Sequence, residues 1–127
     1  MPGSRGFSWG ARRRSFVYAW RGVRTVLRSQ HNAWIHAAAS IGVVVLGALL
    51  GVGRLEWLAL IFAVVSVWTA ESLNTAFELL CDVASPDFHP LVEKAKDVAA
   101  GAVLISALGA LLVGGLVFGP HLWQALR

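Results

Sequence analysis

Three long apolar runs separated by short polar connections dominate the chain. Residues 33–52 and 98–118 contain no charged side chain, and residues 57–70 continue past Glu71 into further apolar sequence. Each run is long enough to cross about 30 Å of hydrocarbon as a helix that rises about 1.5 Å per residue. The pattern therefore predicts three membrane-spanning helices, at residues 33–53, 55–82 and 90–119.

A different hydrophobic pattern precedes the first of these runs. Phe16, Trp20, Val23 and Leu27 recur at helical spacing, whereas the arginines around them face elsewhere. This pattern predicts an amphipathic helix over residues 7–29 that lies on the membrane surface. All 127 residues would then form a single all-α membrane domain.

The basic residues are concentrated at the N-terminal end. Seven of the eleven lysines and arginines lie before residue 30, with no acidic residue among them. The positive-inside rule then predicts a multi-pass protein of the cell membrane with a cytoplasmic N-terminus, a cytoplasmic loop at residues 83–95 and an external C-terminus. A basic segment beside membrane spans typically contacts anionic lipid headgroups, so we expect no nucleic-acid partner.

Four polar side chains interrupt the second apolar run, and helical spacing places them on one face. Glu71, Asn74, Glu78 and Asp82 fall within an arc of about 80° at about 100° per residue. An ionisable group at the centre of a membrane helix costs on the order of 3 kcal/mol on insertion scales. With three carboxyl groups near the cytoplasmic boundary, this polar stripe points to cation binding or proton transfer.

The residue types in and beside the stripe suit phosphate chemistry. Carboxylate and amide oxygens are ligands for Mg²⁺, and Lys96 with Asp97 lies at the same level at the start of the third span. Phosphoryl transfer requires a metal, a cationic group and a positioned nucleophile. The chemistry alone also allows two other classes: a proton- or cation-coupled transporter, and a non-catalytic membrane adaptor.

Two segments add a family resemblance to this reading. E-S-L-N-T-A-F-E-L-L-C-D at 71–82 and, after a proline-containing loop, A-K-D at 95–97 closely resemble the small integral-membrane diacylglycerol kinase family of bacteria, which includes undecaprenol kinases. The resemblance extends from about Phe16 to Phe118. It implies a homotrimeric lipid kinase that transfers the γ-phosphate of ATP, with Mg²⁺ as cofactor, to a membrane lipid hydroxyl at the cytoplasmic interface.

The resemblance also implies roles for individual residues. Glu71 would be the catalytic base and Glu78 a magnesium ligand. Gln30 occupies a position where the family often has a second metal-binding glutamate, and a neutral amide binds Mg²⁺ more weakly. The residues expected to bind nucleotide are Tyr18, Asn74, Asp82, Asp87, His89, Lys96 and Asp97.

The lipid acceptor is predicted from a shorter segment. S-Q-H-N-A-W-I-H at 29–36 resembles the N-x-x-I-H element of the undecaprenol-kinase branch, which slightly favours undecaprenol over diacylglycerol. Within this segment, His36 is expected to be a packed or hydrogen-bonded histidine rather than a ligand.

Three helices of one chain offer too little surface to surround a lipid, a metal and a nucleotide together, so we expect a site shared between subunits. The candidate lipid contacts are Trp20, Arg24 and Trp68.

Overall fold

The computed structural model describes residues 6–29 and 31–127 as four helices without a strand in these ranges. Three of the helices are long and apolar enough to cross a membrane. The predicted all-α architecture, with three spanning helices behind an N-terminal helix, is therefore confirmed. The helices are α1 (Trp9–Ser29), α2 (His31–Leu50), α3 (Arg54–Ala84) and α4 (Pro90–Ala125).

A tight glycine turn reverses the chain between α2 and α3. Gly51 adopts a φ of 64°, a left-handed conformation that glycine adopts without steric cost. The Val52 N–H donates to the Gly47 carbonyl oxygen at 3.2 Å, which closes the end of α2. The Gly53 N–H donates to a Glu56 carboxylate oxygen at 2.7 Å, which fixes the start of α3.

Helices α3 and α4 make the most extensive helix–helix contact of the described chain. An ion pair fastens each end of this contact. Near the α3–α4 connection, Lys96 Nζ lies 2.8 Å from Asp82 Oδ1. At the opposite end, His121 Nε2 lies 3.0 Å from Glu56 Oε2. These two pairs link α3 to α4 at both ends of the contact.

The hydrophobic core is small and lies at the end of the fold that carries the glycine turn. Its buried members are Val52, Leu60, Val117 and Phe118, with partly buried Trp57 packed against them. Most other large apolar side chains on the spanning helices are exposed. Such surfaces suit a bilayer, where lipid tails or neighbouring helices cover them.

Gly47 of α2 lies directly against the Trp57 ring of α3. A methyl group added at Gly47 would lie 2.6 Å from the Trp57 ring. Since that ring packs against the core, we expect Gly47→Ala to lower the free energy of unfolding by about 1–3 kcal/mol through overpacking. A lower midpoint of thermal unfolding in detergent, followed by circular dichroism, would report this loss.

Gly42 provides the matched control on the same helix. A methyl group there meets no atom within 4 Å, and alanine is favoured over glycine in a helix by about 0.5–1 kcal/mol. Gly42→Ala should therefore unfold at or above the wild-type temperature. Equal midpoints for the two variants would contradict the close contact between Gly47 and Trp57.

Candidate functional site

Helix α3 carries the buried polar residues of the described chain, Glu71, Asn74 and Thr75. Glu71 is 0% exposed and Asn74 is 7% exposed. Thr75 is internally satisfied, because its Oγ1 donates to the Glu71 main-chain carbonyl oxygen at 2.9 Å. In contrast, both Glu71 carboxylate oxygens and Asn74 Oδ1 accept no hydrogen bond from the described residues. Buried acceptors are normally paired, so three such oxygens are typical of a binding site.

A histidine from α2 is the ionisable side chain that lies beside Glu71. His36 Nε2 lies 3.3 Å from Glu71 Oε2, although the ring is not aligned for a hydrogen bond to the carboxylate. His36 was predicted to be a packed or hydrogen-bonded histidine and was given no role at the site. His36 and Glu71 are close because α2 packs against α3. Residues so far apart along the chain give no periodic pattern from which this contact could be predicted.

Two hydrogen bonds tie the two helices together beside His36. Trp68 Nε1 donates to Ser40 Oγ at 2.9 Å, and Ser40 Oγ lies 2.6 Å from the His36 carbonyl oxygen, to which it donates. The Trp68 and His36 rings meet edge to face, with centroids 6.2 Å apart. Trp68, expected to contact lipid, thus also supports the surroundings of Glu71.

One helical turn further along α3, Asn74 and Glu78 contact each other. Asn74 Nδ2 donates to Glu78 Oε1 at 3.3 Å. The buried Asn74 Oδ1 has no hydrogen-bond partner among the described residues. The predicted polar stripe therefore contains a buried section at Glu71 and Asn74 that continues into half-buried Glu78.

A polar cavity of about 310 Å³ lies at the connection between α3 and α4. Its lining brings together four of the predicted nucleotide-binding residues: Asp82, Asp87, His89 and Lys96. Within this lining, Lys96 Nζ donates a hydrogen bond to Asp82 Oδ1. His89 also has a structural part, since its Nδ1 accepts from the Leu91 N–H at 3.2 Å and caps α4. Asp97 is exposed and lies outside the lining.

The predicted residues on α1 are not brought to this cavity within one chain. Tyr18 is exposed, with the Arg21 guanidinium 5.8 Å from its ring centroid. In the described ranges α1 contacts α2 and α3 but not α4. Trp20 and Arg24 are likewise exposed on α1. Gln30, the expected second metal-binding position, lies outside the described residues.

The oxygen donors suit a magnesium ion that arrives with a phosphate ligand. The described residues contain no cluster of three His, Cys, Asp or Glu side chains that could hold a metal. Mg²⁺, however, is usually held by one or two carboxylates together with substrate phosphates and water. The Glu78 carboxylate and the unpartnered Asn74 amide oxygen match that requirement.

Three spanning helices, a buried carboxylate on α3 and a polar, lysine-bearing cavity at the α3–α4 connection define a small multi-pass membrane protein with polar groups along one of its helices. The chain belongs to the prokaryotic diacylglycerol kinase family, whose model matches residues 17–118.

Several relatives align with most of the chain. It is 38% identical over 109 residues to the undecaprenol kinase of Bacillus subtilis, covering 86% of this chain and 89% of that protein. It is 38% identical over 109 residues to a diacylglycerol kinase of Synechocystis, covering 85% of this chain and 62% of that protein. It is 33% identical over 111 residues to the diacylglycerol kinase of Escherichia coli, covering 82% and 85%.

This membership makes the protein a membrane lipid kinase. The predicted family and enzyme class are confirmed, and the kinase reading is favoured over the transporter and the adaptor. The family implies a lipid substrate and ATP as the phosphate donor.

Proposed function

We propose that this protein transfers the γ-phosphate of ATP to the hydroxyl group of a membrane lipid at the cytoplasmic face of the membrane, with Mg²⁺ bound together with the nucleotide. The observation that carries the proposal is the Glu71 carboxylate, which is 0% exposed and accepts no hydrogen bond from the described residues. A buried carboxylate without a hydrogen-bond donor is costly in a structural role, and it suits a group that accepts a proton during reaction.

In the proposed reaction, Glu71 acts as the general base. The lipid hydroxyl oxygen forms a bond to the γ-phosphorus while its proton moves to the Glu71 carboxylate. The bond between the γ-phosphorus and the bridging oxygen breaks, and ADP leaves with that oxygen. The deep position of Glu71 on α3 suits an acceptor hydroxyl that comes from the bilayer rather than from water.

The neighbouring polar groups would bind the phosphates. Glu78 and Asn74 would hold Mg²⁺, which when bound neutralises charge on the phosphate oxygens. Lys96 lines the polar cavity near these residues, and its ammonium group would neutralise further phosphate charge. Asp82 orients that ammonium group through the 2.8 Å ion pair. We propose that the nucleotide occupies this cavity, in contact with Asp87 and His89.

The proposed site is completed by a second subunit of a homotrimer. Tyr18 is expected at the nucleotide, yet α1 makes no contact with α4 in the described part of the chain. A neighbouring copy can supply its α1 to the cavity of this copy, since cyclic symmetry gives every site the same composition. The arginines of α1 would then lie at the cytoplasmic membrane surface, where phosphate groups are abundant.

We propose undecaprenol as the preferred acceptor. Overall similarity does not decide this point, because the undecaprenol kinase of Bacillus subtilis and the Synechocystis diacylglycerol kinase are both 38% identical to this chain. The proposal depends instead on the N-A-W-I-H segment at residues 32–36, which places His36 beside Glu71.

An acceptor assay tests this function. Purified protein in bilayers, supplied with γ-labelled ATP and Mg²⁺, should label undecaprenol faster than diacylglycerol or ceramide. Removal of Mg²⁺ with a chelator should lower the rate by about 100-fold or more, and added Mg²⁺ should restore it. Absence of label in every lipid would contradict the kinase function. Faster labelling of diacylglycerol would overturn only the choice of acceptor.

A further inference from the structure

We propose that His36 is a positioning residue for Glu71, and that its Nε2–H orients the carboxylate toward the acceptor hydroxyl and stabilises the carboxylate's negative charge. The inference rests on the proposed function, because it presumes that Glu71 is the base. It extends that function by assigning a role to a side chain on α2, outside the motif segments on α3 and α4.

The first support is that Glu71 needs a partner and has one candidate. A buried carboxylate is strongly destabilised unless a donor or a cation compensates it. Among the ion pairs of the described residues, His36 is the group that reaches Glu71, at 3.3 Å. Lys96 is engaged with Asp82 at 2.8 Å and forms no pair with Glu71.

The second support is that His36 itself is held in place. The Trp68 indole and the Ser40 hydroxyl link α3 to the backbone of α2 at His36, and the Trp68 ring limits the rotation of the imidazole through the edge-to-face contact. The residue order on the two helices therefore produces a fixed nitrogen beside a buried carboxylate.

The third support is the identity of the nitrogen that faces Glu71. Because Nε2 faces a carboxylate oxygen, the compatible form of the ring carries its proton on Nε2 and donates it toward Oε2. The contact is long and poorly aligned here, as catalytic hydrogen bonds often are before substrate binds. Holding Oε2 in this way leaves Oε1 to receive the acceptor proton.

Two substitutions of His36 test whether it acts as a hydrogen-bond donor or only fills space. His36→Leu introduces an apolar side chain of similar size and removes the donor. We expect it to lower kcat by about 10- to 100-fold with KM for ATP unchanged within about twofold, as for loss of a hydrogen bond to a charged group. His36→Gln retains an N–H donor and should keep kcat within about threefold of wild type. Rates are measured with labelled ATP and undecaprenol in bilayers.

His121→Leu is the matched control. It also breaks a histidine–glutamate pair, with Glu56, but at the opposite end of the helices. It should leave kcat within about twofold while lowering the unfolding temperature, because a partly exposed pair contributes mainly to stability. If His36→Leu does not fold, His36→Ala assayed with and without added imidazole replaces it, and imidazole should restore turnover.

The outcomes distinguish this inference from the proposed function. Equal loss of kcat in His36→Leu and His36→Gln would overturn the positioning role, as would full activity of His36→Leu or absence of imidazole rescue. If Glu71→Gln is inactive while His36→Leu is fully active, the proposed function stands and only the role of His36 fails. Activity in Glu71→Gln would instead refute the assignment of the base itself.

Discussion

Glu71→Gln is expected to lower the rate of lipid phosphorylation by about 10²- to 10⁴-fold, the range typical of losing a general base. Glutamine has nearly the same size and keeps the buried packing of α3, but its amide cannot accept the proton of the lipid hydroxyl. Because Glu71 is placed away from the polar cavity lining, KM for ATP should change by less than about threefold. Initial rates over a range of ATP concentrations separate these two parameters.

Glu56→Gln is the control for this substitution. Glu56 is also an α3 carboxylate paired with a histidine, yet it lies near the glycine turn, far along the helix from Glu71. It should retain turnover within about twofold. A Glu71→Gln enzyme that phosphorylates lipid at near wild-type rate would show that another group takes the proton.

A mixture of two impaired variants should recover activity at low ATP concentration if each site is built from two copies of the chain. Tyr18→Ala removes a proposed nucleotide contact on α1 and should lower kcat/KM for ATP by about 10- to 100-fold, the value of an aromatic contact to a base. Glu71→Gln removes the base on α3. In randomly mixed trimers, about one quarter of sites would combine an intact α1 with an intact α3 from different chains.

Unselected trimers should therefore show about a quarter of wild-type activity, and selected mixed trimers, in which one of the three sites is intact, should show about a third. Co-expression with two distinguishable tags, followed by sequential purification, selects the mixed assemblies. Mixing Glu71→Gln with Asn74→Ala is the control, because both changes fall on α3 and no combination restores that helix. Lack of recovery in the first mixture would show that α1 and α3 of one site come from the same chain.

The helices and the polar stripe were accessible from sequence because both follow from local periodicity. Apolar runs of sufficient length predict spans whatever the packing. Glu71 and Asn74 fall on one face of α3 through helical geometry alone, and the structure places both among the buried residues. The pairing of Lys96 with Asp82 was less accessible, since it depends on how α4 returns along α3.

The contact between His36 and Glu71 could not be predicted from the sequence. His36 was predicted to be packed or hydrogen-bonded. That prediction covers its contacts with Ser40 and Trp68 but not its position beside Glu71. The small-residue surface of α2 decides how closely that helix approaches α3, as at Gly47 against Trp57. No period in the chain encodes the resulting 3.3 Å separation.

By itself, the sequence determined the number and order of the helices, the polar face of α3 and the family resemblance, because hydrophobic period and motif spacing are properties of neighbouring residues. Only the tertiary structure decided which side chains meet across helices: His36 with Glu71, and Asp82 with Lys96 beside a polar cavity. It also separated α1 from α4 within the described chain. These contacts depend on helix register and approach, which arise from packing of the whole chain rather than from any local segment.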